Sequence, residues 1–286
     1  MDSYILRAMP NLTMREPKAI ILNFIGTAVK IGFIEKILIP YLKQNVVKYL
    51  EENWRTYTVQ DDVEKLRTEA AKDGTIKNLG LEASIPEQQQ SVADYVLSML
   101  QAKRESSGIQ MFRFNVWYDG YRKKKITTPI YSDVAIQIKK WKDLGIKVYV
   151  VSNGWKGVSK RFLSRTSEGD LNLLLDGRFD KREGTLDNKD TYTKIAGKIS
   201  QPVDQCLFLT KSGAQGLAAK SAGMPAVLVM VHRKNIDKLT EEEKTIPLIR
   251  TLNELEFGEP PAQSQEGGQG SQKEGGQGSG GEAGAH

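Results

Sequence analysis

The chain has 286 residues, of which 39% are hydrophobic, so it can bury one large core or a core domain with an insertion. Its formal net charge is +6 at pH 7, and because four Glu and one Lys give residues 259–286 a charge of −3, the rest of the chain carries +9. This excess favours anionic partners through long-range attraction. The one dense basic run, Arg122–Lys125, has no aromatic residues within it, so we interpret it as a solvated turn and expect no nucleic-acid binding.

Cysteine content and hydropathy indicate the compartment. Cys206 is the only cysteine, so no intrachain disulfide can form, and its apolar neighbours favour a buried side chain over a nucleophile. No apolar run approaches the roughly 18 residues that a membrane span needs, and the first residues lack the pattern of a secretory signal. We therefore expect no membrane association and a monomer in the cytoplasm, with the nucleus left open as a further location.

The run Ala19–Thr27 organises the rest of the chain. Four apolar residues lead to Asn23, and Gly26 and Thr27 follow after two more residues. This pattern predicts a buried strand of a parallel sheet that ends at a polar residue, the position where open α/β sheets place their chemistry. Residues 1–17 are predicted to be an irregular lead-in.

A helical block follows this strand. Apolar residues at helical spacing predict helices over 32–54 (interrupted by Pro40), 59–72 and 86–103. Weak periodicity and several glycines predict a loop over 74–85.

From Ser132 onwards, predicted strands alternate with predicted helices. Ser132 and Asp133 are expected to cap a helix that ends at Gly145, and Thr240–Glu243 matches a capping box that predicts a last helix before or across Pro247. The predicted strands are 148–151, 207–210 and 226–231, and the further predicted helices are 158–163, 190–199 and 217–222. This alternation indicates βαβ units and a parallel sheet.

The patterns divide the chain into an α/β core, a cap and two terminal segments. The core is predicted over 18–28 and 128–258, and the helical cap, inserted after the first strand, over 29–127. The tail 259–286 contains Glu-Gly-Gly-Gln-Gly-Ser twice, and its Gly/Gln/Ser-rich composition predicts disorder. We interpret it either as a spacer without function or as a flexible tether to a protein partner.

The strand ends Asn23–Thr27, Ser152–Gly154 and Lys211–Gly213 resemble, in order, the motifs of the haloacid dehalogenase (HAD) phosphatases. Further matches narrow the resemblance to the enolase-phosphatase E1 (acireductone synthase) family of methionine salvage: Gly32–Trp54, Trp117–Tyr121, Ile130–Val134, Thr166–Asp170, Asp176–Asp180, Tyr192–Ala196, Leu207–Thr210 and Ala218–Met224. The resemblance implies a HAD-like Rossmannoid parallel sheet with a helical cap inserted after the first strand. It also implies a Mg²⁺-dependent activity on 2,3-diketo-5-methylthiopentyl-1-phosphate.

Several functional residues of that family are replaced here. In the family, the first motif is Asp-x-Glu-Gly-Thr; its Asp attacks phosphorus and binds magnesium, and Asn23 and Ile25 stand at the two acidic positions. The magnesium-ligand Asp of the fourth motif corresponds to Lys211, and the family acid four positions later corresponds to Gln215. These replacements leave none of the family's magnesium positions with a carboxylate.

The phosphate-binding positions are partly kept. The family's Ser-Ser-Gly is Ser152, Asn153 and Gly154 here, so a hydroxyl and a carboxamide remain to hold a phosphate oxygen. The phosphate-binding Lys of the family corresponds to Leu186, with Lys189 three residues on as a partial substitute.

These changes remove the chemistry that the resemblance implies. A carboxamide is a poor nucleophile, isoleucine neither moves a proton nor binds a metal, and a lysine ammonium repels Mg²⁺. Because phosphoryl transfer depends on positioned charge and metal, we expect a pseudophosphatase without a metal cofactor, which acts by binding or regulation. The alternatives left open are residual enolase-phosphatase activity, such as a keto–enol step with Lys211 as base, and a protein that binds a partner through its cap or tail.

The substitutions also change the charge of the pocket. Relative to the family, Asn23, Ile25, Leu186 and Lys211 together add a formal charge of +3, about what would offset the missing divalent ion. One hypothesis is therefore metal-free binding of phosphate or another anion by Lys211, Ser152 and the backbone N–H groups after Asn23. The other is a pocket closed by Ile25, Leu186 and their neighbours.

Two further residues have simpler interpretations. His232 follows a strand beside Arg233 and Lys234, and we interpret it as a surface residue rather than an acid or base. Trp155 follows Gly154, and we interpret it either as a core or surface anchor or as a residue that fills part of the pocket mouth.

Overall fold

The computed structural model describes residues 11–73, 82–230 and 232–259. The predicted disorder of the tail falls on residues 260–286, outside the described residues. The predicted loop 74–85 also lies outside them as far as residue 81; within the remainder, residues 82–84 are not helical and a helix begins at Ile85.

Eight strands are formed by the described residues. In chain order they are β1 (Leu12–Met14), β2 (Ala19–Asn23), β3 (Lys147–Val151), β4 (Gly177–Phe179), β5 (Cys206–Thr210), β6 (Ala226–Val229), β7 (Leu248–Ile249) and β8 (Leu255–Phe257). In the part of the chain described, the central sheet has the order β4-β3-β2-β5-β6-β7 and every pair in it is parallel. β2 lies between β3 and β5 and all five of its residues are buried, which confirms the predicted buried strand.

The helices within the described ranges are α1 (Ile39–Asn53), α2 (Tyr57–Asp73), α3 (Ile85–Gln101), α4 (Ser107–Arg122), α5 (Val134–Asp143), α6 (Lys156–Leu163), α7 (Lys189–Lys198), α8 (Gly213–Ser221) and α9 (Arg233–Ile236). Helices cover both faces of the sheet. Alternate residues of a strand point to opposite faces, so the apolar residues of β2 pack against helices on both sides. Ile20 and Leu22 of β2 belong to the hydrophobic cluster of α5 and α6. Ala19 and Ile21 belong to the cluster of α7 and α8.

The cap comprises α1 to α4, and the sequence pattern missed α4. Ile109, Phe112 and Val116 of this helix lie in the hydrophobic cluster of the cap. Trp117 and Tyr121, further along the same helix, lie in the cluster of the α/β core. Because α4 buries two faces, its apolar residues do not form the single stripe from which an amphipathic helix is recognised.

The predicted interruption at Pro40 takes the form of a wide turn before α1. Ile34–Leu38 form a π-helical turn in which the N–H of Ile39 donates to the carbonyl of Ile34. Pro40 is then the second residue of α1, where the helix requires no backbone N–H.

Two predictions about the ends of the core are wrong. Leu12–Met14 are not an irregular lead-in; they form β1, which pairs in parallel with β8, and three residues are too few for a periodic signal. Thr240 and Glu243 do exchange the predicted capping-box hydrogen bonds, at 2.9 and 3.2 Å. Only a short 3₁₀ turn over Glu243–Thr245 follows, since Pro247 disfavours a helical residue before it.

The predicted cap of α5 also differs. Asp133 has helical backbone angles and forms no side-chain cap; its carboxylate instead accepts a hydrogen bond from the N–H of Leu252 at 2.6 Å. Asp133 therefore ties α5 to the C-terminal end of the core. Gly145 ends the helix with a φ of 80°, as predicted.

The predicted exposure of Arg122–Lys125 and His232 and the predicted burial of Cys206 are confirmed. Arg122–Lys125 are exposed at the end of α4, where Lys123 pairs with Asp119 and Glu52, and His232 is exposed. Cys206 is fully buried, and burial raises the pKa of its thiol to about 11. None of the helices in the described part of the chain combines the length and apolar character that crossing a bilayer requires.

Candidate functional site

The carboxyl ends of β2, β3 and β5 meet at one cavity, because these strands are adjacent and parallel. Asn23 is the last residue of β2, Ser152 directly follows β3, and Lys211 directly follows β5. The cavity has a volume of about 330 Å³. Its polar lining comprises Asn23, Ser152, Asn153, Ser159, Lys211, Ser212 and Gln215. The structure thus brings together most of the site residues that the sequence predicted.

The rest of the lining is apolar and comes from both domains. The cap contributes Ile34, Leu38, Phe114 and Trp117, and the core contributes Phe24, Ile25, Trp155, Val158 and Phe162. The rings of Phe114 and Trp155 pack edge to face with centroids 5.4 Å apart, so cap and core touch beside the cavity. Trp155 lines the cavity but does not fill it.

Leu186 does not lie in this cavity. Its side chain is 2% exposed and belongs to the hydrophobic cluster that also contains Tyr192 and Phe208, and its carbonyl accepts a hydrogen bond from the Tyr192 hydroxyl at 2.6 Å. Lys189 is exposed at the first residue of α7 and does not line the cavity. Neither the predicted phosphate-binding position nor its substitute therefore lines the cavity. The apolar side chain of Leu186 packs in the hydrophobic core instead.

The hypothesis of a closed pocket is wrong, because Leu186 lies outside the cavity and the cavity is open. Of the two residues expected to block it, only Ile25 lines the cavity, and the volume remains open beside it. The predicted backbone donors are also partly engaged, because the N–H of Gly26 donates to the carbonyl of Val29 at 2.7 Å. An anion would therefore depend on side chains more than on this loop.

Three neutral side chains form a closed hydrogen-bond network at the end of β2, which we call the amide network. The Nδ2 of Asn23 donates to Gln215 Oε1 at 2.5 Å and to Thr210 Oγ1 at 3.1 Å, and the Thr210 hydroxyl donates to Gln215 Oε1 at 3.0 Å. Asn23, Thr210 and Gln215 are each no more than 9% exposed. Two carboxylates at positions 23 and 215 would repel each other, whereas two carboxamides bind each other without any ion.

This site does not fit Mg²⁺. Magnesium requires oxygen ligands in octahedral geometry, including one or two carboxylates, and no carboxylate lines the cavity. The Gln215 carbonyl oxygen already accepts two hydrogen bonds, and Lys211 brings a positive charge. Across the described residues, no group of three or more His, Cys, Asp or Glu side chains is arranged to hold a metal.

Lys211 is the single ionisable side chain among the residues that line the cavity. Its aliphatic chain crosses the loop at Gly26: a Cβ added to this glycine, whose φ is +93°, would lie 2.2 Å from the Lys211 Cδ. The Lys211 side chain is half-buried, and no hydrogen bond or ion pair links its ammonium to another described residue. The site therefore presents one positive charge among neutral groups.

Asp180 fixes the loop that carries Ser152 and Asn153, and sequence reasoning gave it no role. It directly follows β4, it is 2% exposed, and its carboxylate accepts hydrogen bonds from the N–H of Lys156 at 2.8 Å and the Nε of Arg182 at 2.9 Å. Burial by itself raises the pKa of Asp180, but these hydrogen bonds outweigh it and lower the pKa to about 2. The signal in the sequence was the position of Asp180 at the end of Asp176–Asp180, one of the segments that carry the family resemblance.

We expect Asp180→Asn to destabilise the fold in a pH-dependent way. The folded-state pKa of Asp180 is about 2 against an ordinary value of 3.8, so its charge stabilises the fold above pH 4, and this contribution is lost as the pH falls towards 2. Urea unfolding at pH 7 should show a free energy of unfolding lower by about 2 kcal/mol, with the difference from the unsubstituted chain shrinking below pH 4. Asp143→Asn, at the exposed end of α5, is the matched control. A difference that is independent of pH would contradict the assigned role.

The amide network predicts a second effect on stability. Gln215→Met keeps the length of the side chain but removes the acceptor that Asn23 bonds at 2.5 Å, which leaves a buried donor with Thr210 alone. The free energy of unfolding should fall by about 1–3 kcal/mol, measured by urea denaturation beside the control Gln101→Met on the exposed end of α3. Equal stability of the two variants would show that the network does not form in solution.

No family model matches the chain. The relatives found by sequence comparison belong to one family. The enolase-phosphatase E1 of Xenopus tropicalis is 32% identical over 232 residues, covering 79% of this chain and 89% of the relative. That of Anopheles gambiae is 30% identical over 248 residues, covering 84% of this chain and 82% of the relative. That of Aquifex aeolicus is 28% identical over 240 residues, covering 84% of this chain and 99% of the relative.

A solved structure supports the fold. The UTR4 protein of Saccharomyces cerevisiae superposes with a TM-score of 0.64 at 19% identity, covering 83% of this chain and 99% of that chain. The α/β fold class with a HAD-like parallel sheet, predicted from the sequence, is confirmed. With its motifs in family order and its relatives matched over most of their length, the chain belongs to the enolase-phosphatase E1 family.

Proposed function

We propose that this chain is a pseudophosphatase of its family: it binds an anionic ligand in the family's cavity without a metal and does not catalyse phosphoryl transfer. The amide network carries this proposal. Asn23 stands where the family places its nucleophile and uses its amide to hold Gln215, so the position is occupied by a structural hydrogen bond. In this proposal, the chain acts by binding an anionic ligand rather than by converting it.

The absence of turnover follows from the charges at the site. Attack on a phosphomonoester needs an anionic or activated nucleophile, and a metal or cations that neutralise the charge developing on the phosphoryl oxygens. The cavity offers neither a carboxylate nor a fitting magnesium site. Lys211 supplies one positive charge, which attracts an anion but cannot replace a nucleophile.

Retention of binding is supported by the shape and polarity of the cavity. About 330 Å³ remain open between cap and core. Ser152, Asn153 and Ser212 line the same cavity as Lys211, and their hydroxyl and carboxamide groups can hydrogen-bond an anion without a metal.

The first test is an assay of turnover. The full chain is incubated with Mg²⁺ and 2,3-diketo-5-methylthiopentyl-1-phosphate, and both phosphate release and substrate absorbance are followed, with the Xenopus tropicalis relative as positive control. We expect phosphate release equal to that of a chelator blank, since the nucleophile and metal ligands are lacking. Mg²⁺-dependent turnover at ordinary enzyme rates, of order 1–10³ s⁻¹, would overturn the proposal. Loss of substrate without phosphate release would instead favour the keto–enol alternative with Lys211 as base.

The second test is calorimetry with inorganic phosphate. In the presence of a chelator, the chain should bind phosphate in the millimolar range, and Lys211→Met should weaken binding about tenfold, the equivalent of about 1.4 kcal/mol for one charge-assisted contact. Lys238→Met is the matched control, because Lys238 is an exposed lysine that does not line this cavity. No binding at millimolar phosphate, or equal weakening by both variants, would contradict anion binding at Lys211.

A further inference from the structure

We propose that the ligand of this cavity is an organic monoanion with an apolar body, of the class of the aromatic monocarboxylates. Its carboxylate binds at Lys211, and its apolar body lies against the surface formed by Phe114 and Trp117 of the cap and Phe162 of the core. This inference rests on the proposed function, because it names the ligand class of the same site.

The charge of the lining sets the charge of the ligand. Lys211 is the single ionisable group among the lining residues, and the amide network, Ser152 and Ser212 are neutral. A monoanion neutralises this charge, whereas a dianion would retain one uncompensated negative charge in a partly apolar cavity. An uncompensated charge removed from water is strongly disfavoured. The site is therefore better matched to a carboxylate than to a phosphate dianion.

The walls set the chemistry of the rest of the ligand. Nine of the lining side chains are apolar, and they are Phe24, Ile25, Ile34, Leu38, Phe114, Trp117, Trp155, Val158 and Phe162. The ring centroids of Phe114 and Trp117 are 5.6 Å apart and those of Trp117 and Phe162 are 6.3 Å apart, so the aromatic side chains form a continuous surface. A planar or aliphatic body gains from contact with such a surface, because its apolar area leaves water.

The size of the cavity suits a small-molecule ligand. A volume of about 330 Å³ lies at the lower end of small-molecule sites, which span about 300–1,000 Å³. The contact between Phe114 of the cap and Trp155 of the core, at 5.4 Å, limits access from the side. The ligand is thus a small molecule that the cap covers.

A neighbouring cavity is less suited to the same ligand. Lys211 also lines a second cavity of about 390 Å³, together with Lys238, Asn235 and Glu243. The carboxylate of Glu243 lies against the first residue of α8, since a Cβ added to Gly213 would lie 2.4 Å from its Oε1. This negative charge and the smaller number of aromatic residues make the second cavity a poorer site for an apolar anion than the cap-covered cavity. Lys238 lines only the second cavity, so its substitution distinguishes the two in an experiment.

The test compares three probes by calorimetry on the full chain with a chelator present. Phenylacetate carries both the charge and the apolar body, acetate carries only the charge, and phenylacetamide carries only the body. Phenylacetate should bind at least tenfold more tightly than either of the others. If acetate and phenylacetate bind equally, the apolar body is not recognised and the inference fails, while metal-free anion binding as tested with phosphate still stands.

Variants assign each part of the ligand to its contacts. Lys211→Met should weaken phenylacetate at least tenfold and leave phenylacetamide unchanged. Phe114→Ala, at a half-buried position, should weaken phenylacetate several-fold and leave acetate unchanged. Lys238→Met should change neither, and thermal unfolding of each variant establishes that it is folded. Weakening by Lys238→Met but not by Lys211→Met would place the ligand in the second cavity and overturn the inference, whereas Mg²⁺-dependent turnover would overturn the proposed function itself.

Discussion

The structure depends on how buried polar groups at the end of the central strand are satisfied. β2 ends at Asn23 between β3 and β5, so its side chain is 8% exposed and must find hydrogen-bond partners within the protein. Gln215 and Thr210 provide them. Carboxylates at these positions would require a cation, whereas carboxamides hydrogen-bond to each other. The strand ends that could position metal ligands therefore hold, in this chain, a hydrogen-bond network that needs no ion.

The cap retains its relation to the core because a single helix belongs to both. α4 buries Phe112 in the cap and Trp117 in the core, and the indole N–H of Trp117 donates to the carbonyl of Leu38 at 2.8 Å beside the wide turn that precedes α1. The aromatic walls of the cavity are part of this junction. The cavity therefore does not depend on charged residues at the strand ends, since the residues that roof it also hold the domains together.

At this site, the groups that stabilise the fold differ from the group that we propose binds a ligand. Asp180 holds the Ser152–Lys156 loop from outside the cavity, and Gly26 leaves room for the Lys211 side chain. The amide network stabilises the strand ends. Lys211, whose ammonium forms no hydrogen bond or ion pair with the described residues, is the group that we propose binds the anionic end of a ligand.

The sequence by itself determined the parallel sheet, the buried central strand and the identity of the residues at its edge, because hydrophobic runs, turn residues and ordered motifs are local signals. It also determined which acidic residues are replaced. Three features emerge from the folded chain alone: Leu186 lies in the core, Asn23 bonds Gln215, and α4 forms with two buried faces. These features depend on contacts between residues far apart in the chain, where burial and hydrogen-bond satisfaction, rather than residue type or periodicity, set the outcome.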